Sequence, residues 1–215
     1  MKQQKGLSLI ELMIAILISS LLLLGVIQLF GNTTASDRTN TAMARVQESG
    51  RIALEIIGAD ARRAGYQGCS SSSNPTTVGS LTFPAAALAA ANKSVSFRYA
   101  TLSNTGTLFG TNKTCNDTTL YLNNVTYSRC PSGGIQRICK TANGGSADPI
   151  LDNADITAIQ FGFPAAGNTL WKESAGVNAT ELESARAVRI TLTITDARSE
   201  ISRTFTGTYE LRNRL

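Results

Sequence analysis

Histidine is absent from all 215 residues. Without it, Ser-His-Asp and Cys-His nucleophile systems are excluded, as is every histidine-ligated zinc or haem site. Charge is also sparse. Charged residues make up 16% of the chain and the formal net charge is +5, which is basic without being polybasic and gives only weak support for a nucleic-acid partner. Residues 181–215 hold six arginines against five acids with few aromatics nearby, short of a phosphate-tracking surface. The four cysteines, Cys69, Cys115, Cys130 and Cys139, never fall into CxxC spacing. An even number of widely spaced cysteines fits an oxidising compartment better than a metal or redox centre. Hydrophobic residues reach 42%, enough to build a core.

Proline is missing from the longest apolar run, Leu7 to Phe30, LSLIELMIAILISSLLLLGVIQLF. As a helix it would span roughly 36 Å, enough for a hydrocarbon core of about 30 Å. Lys2 and Lys5 precede it and favour an N-terminus left in the cytoplasm, with the rest sent across. The run is too long for the apolar region of an ordinary secretory signal, and no small-residue cleavage site follows it. Glu11 is the anomaly, because a carboxylate in an apolar helix is costly in lipid and needs a reason.

The residues around Glu11, KGLSLIEL, resemble the class III signal of type IV pilins and pseudopilins. The resemblance implies cleavage after Gly6 by a prepilin peptidase and methylation of the new N-terminal residue, Leu7. It also implies that Glu11 pairs with the N-terminal amine of a neighbouring subunit during assembly. Two opposite charges brought together in an apolar setting would offset part of each other's desolvation. Two departures stand out. Leu7 occupies a position that is commonly Phe, and the apolar helix lacks the proline usual in major pilins, which fits a minor component better.

Beyond Phe30 the composition turns polar through Gly31 to Thr41, and a helical stripe follows at Met43, Val46, Gly50, Ala53/Leu54, Ile57, Ala61 and Ala64. Steps of three and four put these on one face. Arg45, Glu48, Arg51, Glu55, Asp60 and Arg62 are expected on the remainder, and Gly65 and Gly68 should end the helix. The rest reads as short strands. Expected strands are Val95–Thr101, Thr118–Leu122 and Val125–Cys130 around an Asn123-Asn124 turn, then Ile135–Lys140 and Ile156–Phe163. A final hairpin alternates Val188, Ile190, Leu192 and Ile194 with Phe205, Tyr209 and Leu211 in the return strand. The fold expected is α+β: a long N-terminal helix, half membrane-spanning and half amphipathic, packed on an antiparallel sheet. Its divisions would be a leader at 1–6, a membrane or filament-core helix at 7–30, its amphipathic continuation at 31–66 and a β-rich head at 67–215.

RVQESGRIALEIIGADARRAGYQGC (Arg45 to Cys69), PILDNADITAIQFGF (Pro149 to Phe163), ARAVRITLTIT and TYELRNRL resemble the PilW family of minor pilins. Residues 70–134 match no motif. The resemblance implies a structural protein without cofactor that primes pilus assembly. Its implied partners are the prepilin peptidase, other minor pilins, the major pilin and a PilY-type tip adhesin. It would lie in the bacterial inner membrane with its head in the periplasm, then in the pilus. A J-type pseudopilin of type II secretion shares much of this pattern, and a pilus-associated module binding DNA or a surface ligand is the alternative of another class.

Three features remain. A hairpin at Asn123-Asn124 would bring Cys115 near Cys130 and leave Cys69 for Cys139, the competing pairing being Cys69–Cys115 with Cys130–Cys139. Asp152, Asn153 and Asp155 lack the glycine and distant glutamate of a calcium loop and read as a turn. Glu181 and Glu183 read as solvated surface, and Trp171, in a loop rich in Gly, Asn and Ala, as either a partner contact or a cover for the sheet edge.

Overall fold

The computed structural model describes residues 8–70 and 74–213. Gly6 and Leu7 lie outside them. The chain divides into two units, Met1–Ala44 and Arg45–Leu215, and one helix, α1 (Leu9–Arg63), runs through the boundary. In the first unit every described residue from Ser8 to Thr41 is exposed.

In the second unit α1 becomes one-sided. Val46, Gly50, Ala53, Ile57, Gly58, Asp60 and Ala61 are buried, while Arg51 and Glu48 pair on the exposed side at 2.9 Å. The expected stripe therefore forms the packed face, and Asp60 joins it instead of lying with the solvent-facing charges. The helix ends at Arg63, and Gly65 follows with φ +83°, its N–H donating to the Arg98 carbonyl at 2.9 Å. Asn213 covers the last turn by donating to the carbonyls of Arg62 and Arg63 at 3.3 and 3.4 Å.

Among the described residues twelve strands follow. A small hairpin pairs β1 (Thr76–Val78) with β2 (Leu81–Phe83). The largest sheet contains β3 (Leu88–Ala91), β4 (Ser94–Thr101), β5 (Leu108–Lys113), β6 (Thr119–Arg129), β7 (Arg137–Ala142) and β8 (Ala147–Asp152). Its order is β3-β4-β6-β7-β8, with β5 also pairing β6. A four-stranded sheet has the order β10-β9-β11-β12, from β9 (Ala154–Ala165), β10 (Asn168–Glu173), β11 (Ala187–Thr195) and β12 (Ser202–Glu210). All pairings between these strands are antiparallel. A one-turn helix, α2 (Ala179–Leu182), starts on a capping box between Asn178 and Glu181, which satisfies two otherwise orphan N–H groups.

The main core lies between the buried face of α1 and the inward residues of both larger sheets: Val95, Phe97 and Tyr99 of β4, Val125 and Tyr127 of β6, Ile159 and Phe161 of β9, and the alternating Val188, Ile190, Leu192 and Ile194 of β11. A second cluster, Phe83, Phe109, Leu120, Ala100, Ala87 and Val78, packs β1 and β2 with β4, β5 and β6.

The expected turn at Asn123-Asn124 does not form. Both residues lie inside β6, paired with Tyr99 and Arg98 of β4. Pairing with β4 continues through them, and Asn123 donates to the Tyr99 hydroxyl at 2.8 Å, so the polar pair is accommodated within a strand. This overturns the favoured cysteine pairing. With β6 extended, Cys115 and Cys130 flank opposite ends of one strand. The bridges are Cys69–Cys115 and Cys130–Cys139, with Cα separations of 5.0 and 5.8 Å. The first ties the turn after α1 to the β5–β6 connection, where Cys69 also donates its N–H to the Lys113 carbonyl at 3.0 Å. The second joins the end of β6 to β7.

Candidate assembly site

Three features could serve assembly: the apolar stretch of α1, Glu11 within it, and the contacts that fix the later part of α1 to the sheets. The apolar stretch is the one helix among the described residues long and apolar enough to cross a membrane, with mean hydropathy 2.6 over its best window and none of that window buried. Its large side chains are at least half exposed, from Ile18 at 52% to Leu9 at 77%. Apolar surface of this extent requires lipid or other apolar partners. Its hydroxyls do not interrupt it. Ser20 donates to the Leu17 carbonyl at 2.8 Å, and just past the run Thr33 and Thr34 donate to the carbonyls of Leu29 and Phe30 at 2.8 and 2.9 Å. Such bonds back to the same helix satisfy these three hydroxyl protons without water.

Glu11 sits in the first turn of α1, where a negative charge is favoured by the helix dipole. It is exposed, and among the described residues no side chain donates to its carboxylate. The processing positions expected from the sequence, Gly6 and Leu7, fall outside the described residues.

Asp60 is arranged in the opposite way. It is 4% exposed and accepts from three side chains on three strands. Tyr99 Oη of β4 reaches Oδ1 at 2.7 Å, Tyr127 Oη of β6 reaches Oδ2 at 2.6 Å, and Lys140 Nζ of β7 reaches Oδ2 at 2.9 Å. A buried carboxylate is tolerated only when paired and hydrogen-bonded, and both conditions are met. Burial, then the adjoining Asp60 carboxylate, push the Tyr99 phenol up to about 12; the same two causes raise Tyr127 well above its ordinary value. Both phenols therefore stay protonated and donate. The network fixes the helix to the largest sheet at one rotation and one height.

The signal for this network was present. Asp60 lies three residues after Ile57 and four before Ala64, on the stripe itself. Tyr127 of β6 pairs with Lys140 of β7, and Tyr99 of β4 pairs with Asn123, four residues earlier on β6 and on the same face as Tyr127. What the one-dimensional pattern lacked was which strands would be neighbours.

A second contact joins α1 to the four-stranded sheet. The Phe205 ring lies against Gly50 and the Tyr209 ring against Gly58, close enough that a Cβ at either glycine would overlap it. Tyr209 Oη donates to the Leu54 carbonyl at 2.6 Å. Helix interiors disfavour glycine by about 1 kcal/mol against alanine; here the missing Cβ gives the rings their place.

The remaining sequence candidates are structural. Asn153 takes φ +52° in the turn between β8 and β9. Asp152 pairs with Arg137 at 2.7 Å, and Asp155 with Arg129 at 2.5 Å and Lys93 at 3.7 Å. Glu181 bonds Lys172 at 2.6 Å and the Asn178 N–H at 3.0 Å, contacts that hold its carboxyl below the usual range. Trp171 lies in β10, opposite Gly162 of β9, with the Arg189 guanidinium 3.9 Å over its ring. It stands in a strand and not in the loop its surroundings suggested. Among the described residues no group of His, Cys, Asp or Glu could hold a metal ion.

Comparison with known families gives two matches. Residues 1–27 match the prokaryotic N-terminal methylation motif, and residues 39–211 match the family described as prepilin peptidase-dependent protein B. No curated protein and no solved structure matches the chain.

Proposed function

The chain belongs to the prepilin peptidase-dependent protein B family, and from that premise we propose that it is a minor pilin of the PilW type. A methylation motif over residues 1–27 and a helix with its apolar surface exposed make it a type IV pilin-like component, and pilin-like proteins act as structural parts, not catalysts. The finer reading has four steps. The prepilin peptidase cuts between Gly6 and Leu7, and Leu7 is methylated on its amine. Residues 7–30 hold the chain in the inner membrane with the head in the periplasm. The helix then enters a filament, where Glu11 meets the terminal amine of a neighbour. There the chain joins other minor pilins in a priming complex at the tip, above the major pilin and beneath a PilY-type adhesin.

The observation that carries this reading is the coincidence of the processing motif with a helix whose described large apolar side chains are exposed. A carboxylate placed in such a surface is expensive unless an amine accompanies it.

Intact mass and N-terminal sequencing of the protein from cell membranes, with and without the peptidase, provide the test. A chain starting at methylated Leu7 only when the peptidase is present is the expected result. A chain still starting at Met1 would leave an ordinary signal-anchored protein. Deleting the gene separates pilus from secretion machinery: loss of pili is expected, whereas loss of secretion with pili intact would make the chain a type II pseudopilin.

A further inference from the structure

Where α1 ends, an open pocket of about 460 Å³ is lined by residues that include Arg62, Arg63, Tyr66, Tyr99, Leu102 and Asn213, and by no acidic side chain. Arg62 is committed to Glu55 at 2.9 Å and lies 5.8 Å over the Tyr209 ring. Arg63 is held differently. It hydrogen-bonds Tyr99, its guanidinium 5.9 Å from that ring's centroid, and no carboxylate pairs with it among the described residues. Leu102 is 62% exposed and Tyr66 38% exposed. The negative end of α1, which would repel an anion here, is covered where Asn213 donates to the Arg62 and Arg63 carbonyls.

We propose that this pocket docks an acidic peptide segment of a partner protein, a carboxylate on Arg63 with a neighbouring apolar side chain against Tyr66 and Leu102. Charge complementarity selects the occupant. The guanidinium is steered by its hydrogen bond to Tyr99 and its place near that ring, and of its five N–H donors others remain for a carboxylate. The exposed leucine and tyrosine add apolar contact that a bare anion cannot use. Tyr99 couples the pocket to the Asp60 network, so the floor is rigid before the partner arrives. The proposal rests on the assembly reading only for the source of the partner, and the binding itself does not depend on processing.

Full-length protein in a non-ionic detergent would be titrated into fluorescein-labelled peptides containing Asp-Glu-Phe-Leu, Asn-Gln-Phe-Leu or Asp-Glu-Ser-Ser. The first should bind saturably, the second about tenfold more weakly, and the third about threefold or more weakly. Arg63→Gln should weaken the first peptide by about tenfold and Leu102→Ser by about threefold, while Arg63→Lys, which keeps the charge, should lose less than Arg63→Gln. Unfolding midpoints equal to the parent's would establish that the variants are folded, and Leu102→Ser, on an exposed side chain, reads out the pocket even if Arg63→Gln is not. Equal binding of the amide peptide, or no effect of either Arg63→Gln or Leu102→Ser, overturns the proposal. So does displacement of the first peptide by millimolar inorganic phosphate combined with equal binding of Asp-Glu-Ser-Ser, which would describe a bare anion site. A chain that binds the peptide yet keeps Met1 in cells would end the assembly reading and leave the pocket standing; a processed chain that fails to bind would do the reverse.

Discussion

Glu11 and Asp60 sit near opposite ends of the same helix, and the chain treats them oppositely. Asp60 receives three donors from three strands and is almost removed from solvent. Glu11 has no donor among the described residues and stands in an exposed apolar stretch. The contrast extends to their surroundings. Around Asp60 the inward apolar residues of α1, Ala53, Ile57 and Ala61, are buried, whereas around Glu11 all the large apolar residues remain exposed. One segment completes its interactions within the chain. Under the proposed function the other would complete them outside it, as an assembly element requires.

The largest expected effects come from exchanging the readouts of these two carboxylates. Glu11→Ala should remove incorporation into pili, scored by immunoblot of sheared filaments, while membrane retention and the unfolding midpoint of the head stay unchanged. Normal incorporation would remove the role assigned to Glu11. Asp60→Ala should do its damage in the head. It leaves two phenols and an ammonium without their acceptor, and breaking a buried pair typically costs 3–5 kcal/mol; Lys140 is one-third exposed, so about 3 kcal/mol is expected. A denaturant titration unchanged from the parent would mean that the network is not holding the helix.

The disulfides sharpen the contrast within the head. Cys69–Cys115 closes a separation of 46 residues and Cys130–Cys139 one of 9. In the chain-entropy account, removing the first as a double serine variant should cost about 4 kcal/mol and the second about 2.6 kcal/mol. Equal losses in urea unfolding would show that loop closure is not the main contribution.

Smaller effects are expected at the ring contacts. Gly58→Ala gains about 1 kcal/mol of helix propensity but must displace the Tyr209 ring, and overpacking costs about 1–3 kcal/mol. A net loss of about 1 kcal/mol is expected in thermal or chemical unfolding, where an exposed helical glycine, such as Gly25 with open space around it, would tolerate alanine. Alkaline pH should have the mildest effect over the working range. Tyr99 and Tyr209 are both raised from 10.0 to about 12. A raised phenol favours the protonated folded state, so its contribution is complete below about 10 and is lost as pH climbs through about 12. Ultraviolet titration of tyrosinate, followed alongside unfolding midpoints, should place these ionisations late and coincident with the loss of stability. Titration of all five tyrosines near 10 would contradict it.

How much could be read in advance differs by region for a physical reason. The α1 stripe, its stop before Gly65 and the C-terminal hairpin follow from short-range periodicity, and each appears as expected apart from Asp60. Residues 70–134, where no motif was found, turn out to supply six strands. There the signals are weak: β1 and β2 have three residues each, and β6 carries two asparagines that imitate a turn. The cysteine pairing failed with that turn, since a wrong bend in β6 exchanges the partners of both bridges. Arg63 and Leu102 carried no signal, because a pocket made from a helix end, a strand end and the C-terminal segment has no local pattern.

The sequence by itself determined the processing motif, the membrane-length apolar helix, the carboxylate within it and the amphipathic face that follows, because each is written in residues within a few turns of one another. Tertiary structure alone decided that Asp60 would be buried, which cysteines would bond, that Gly50 and Gly58 would receive aromatic rings, and that Arg63 and Leu102 would line one pocket. Those outcomes depend on strand neighbours far apart in the chain, and only the closing of the sheets over α1 brings their partners within reach.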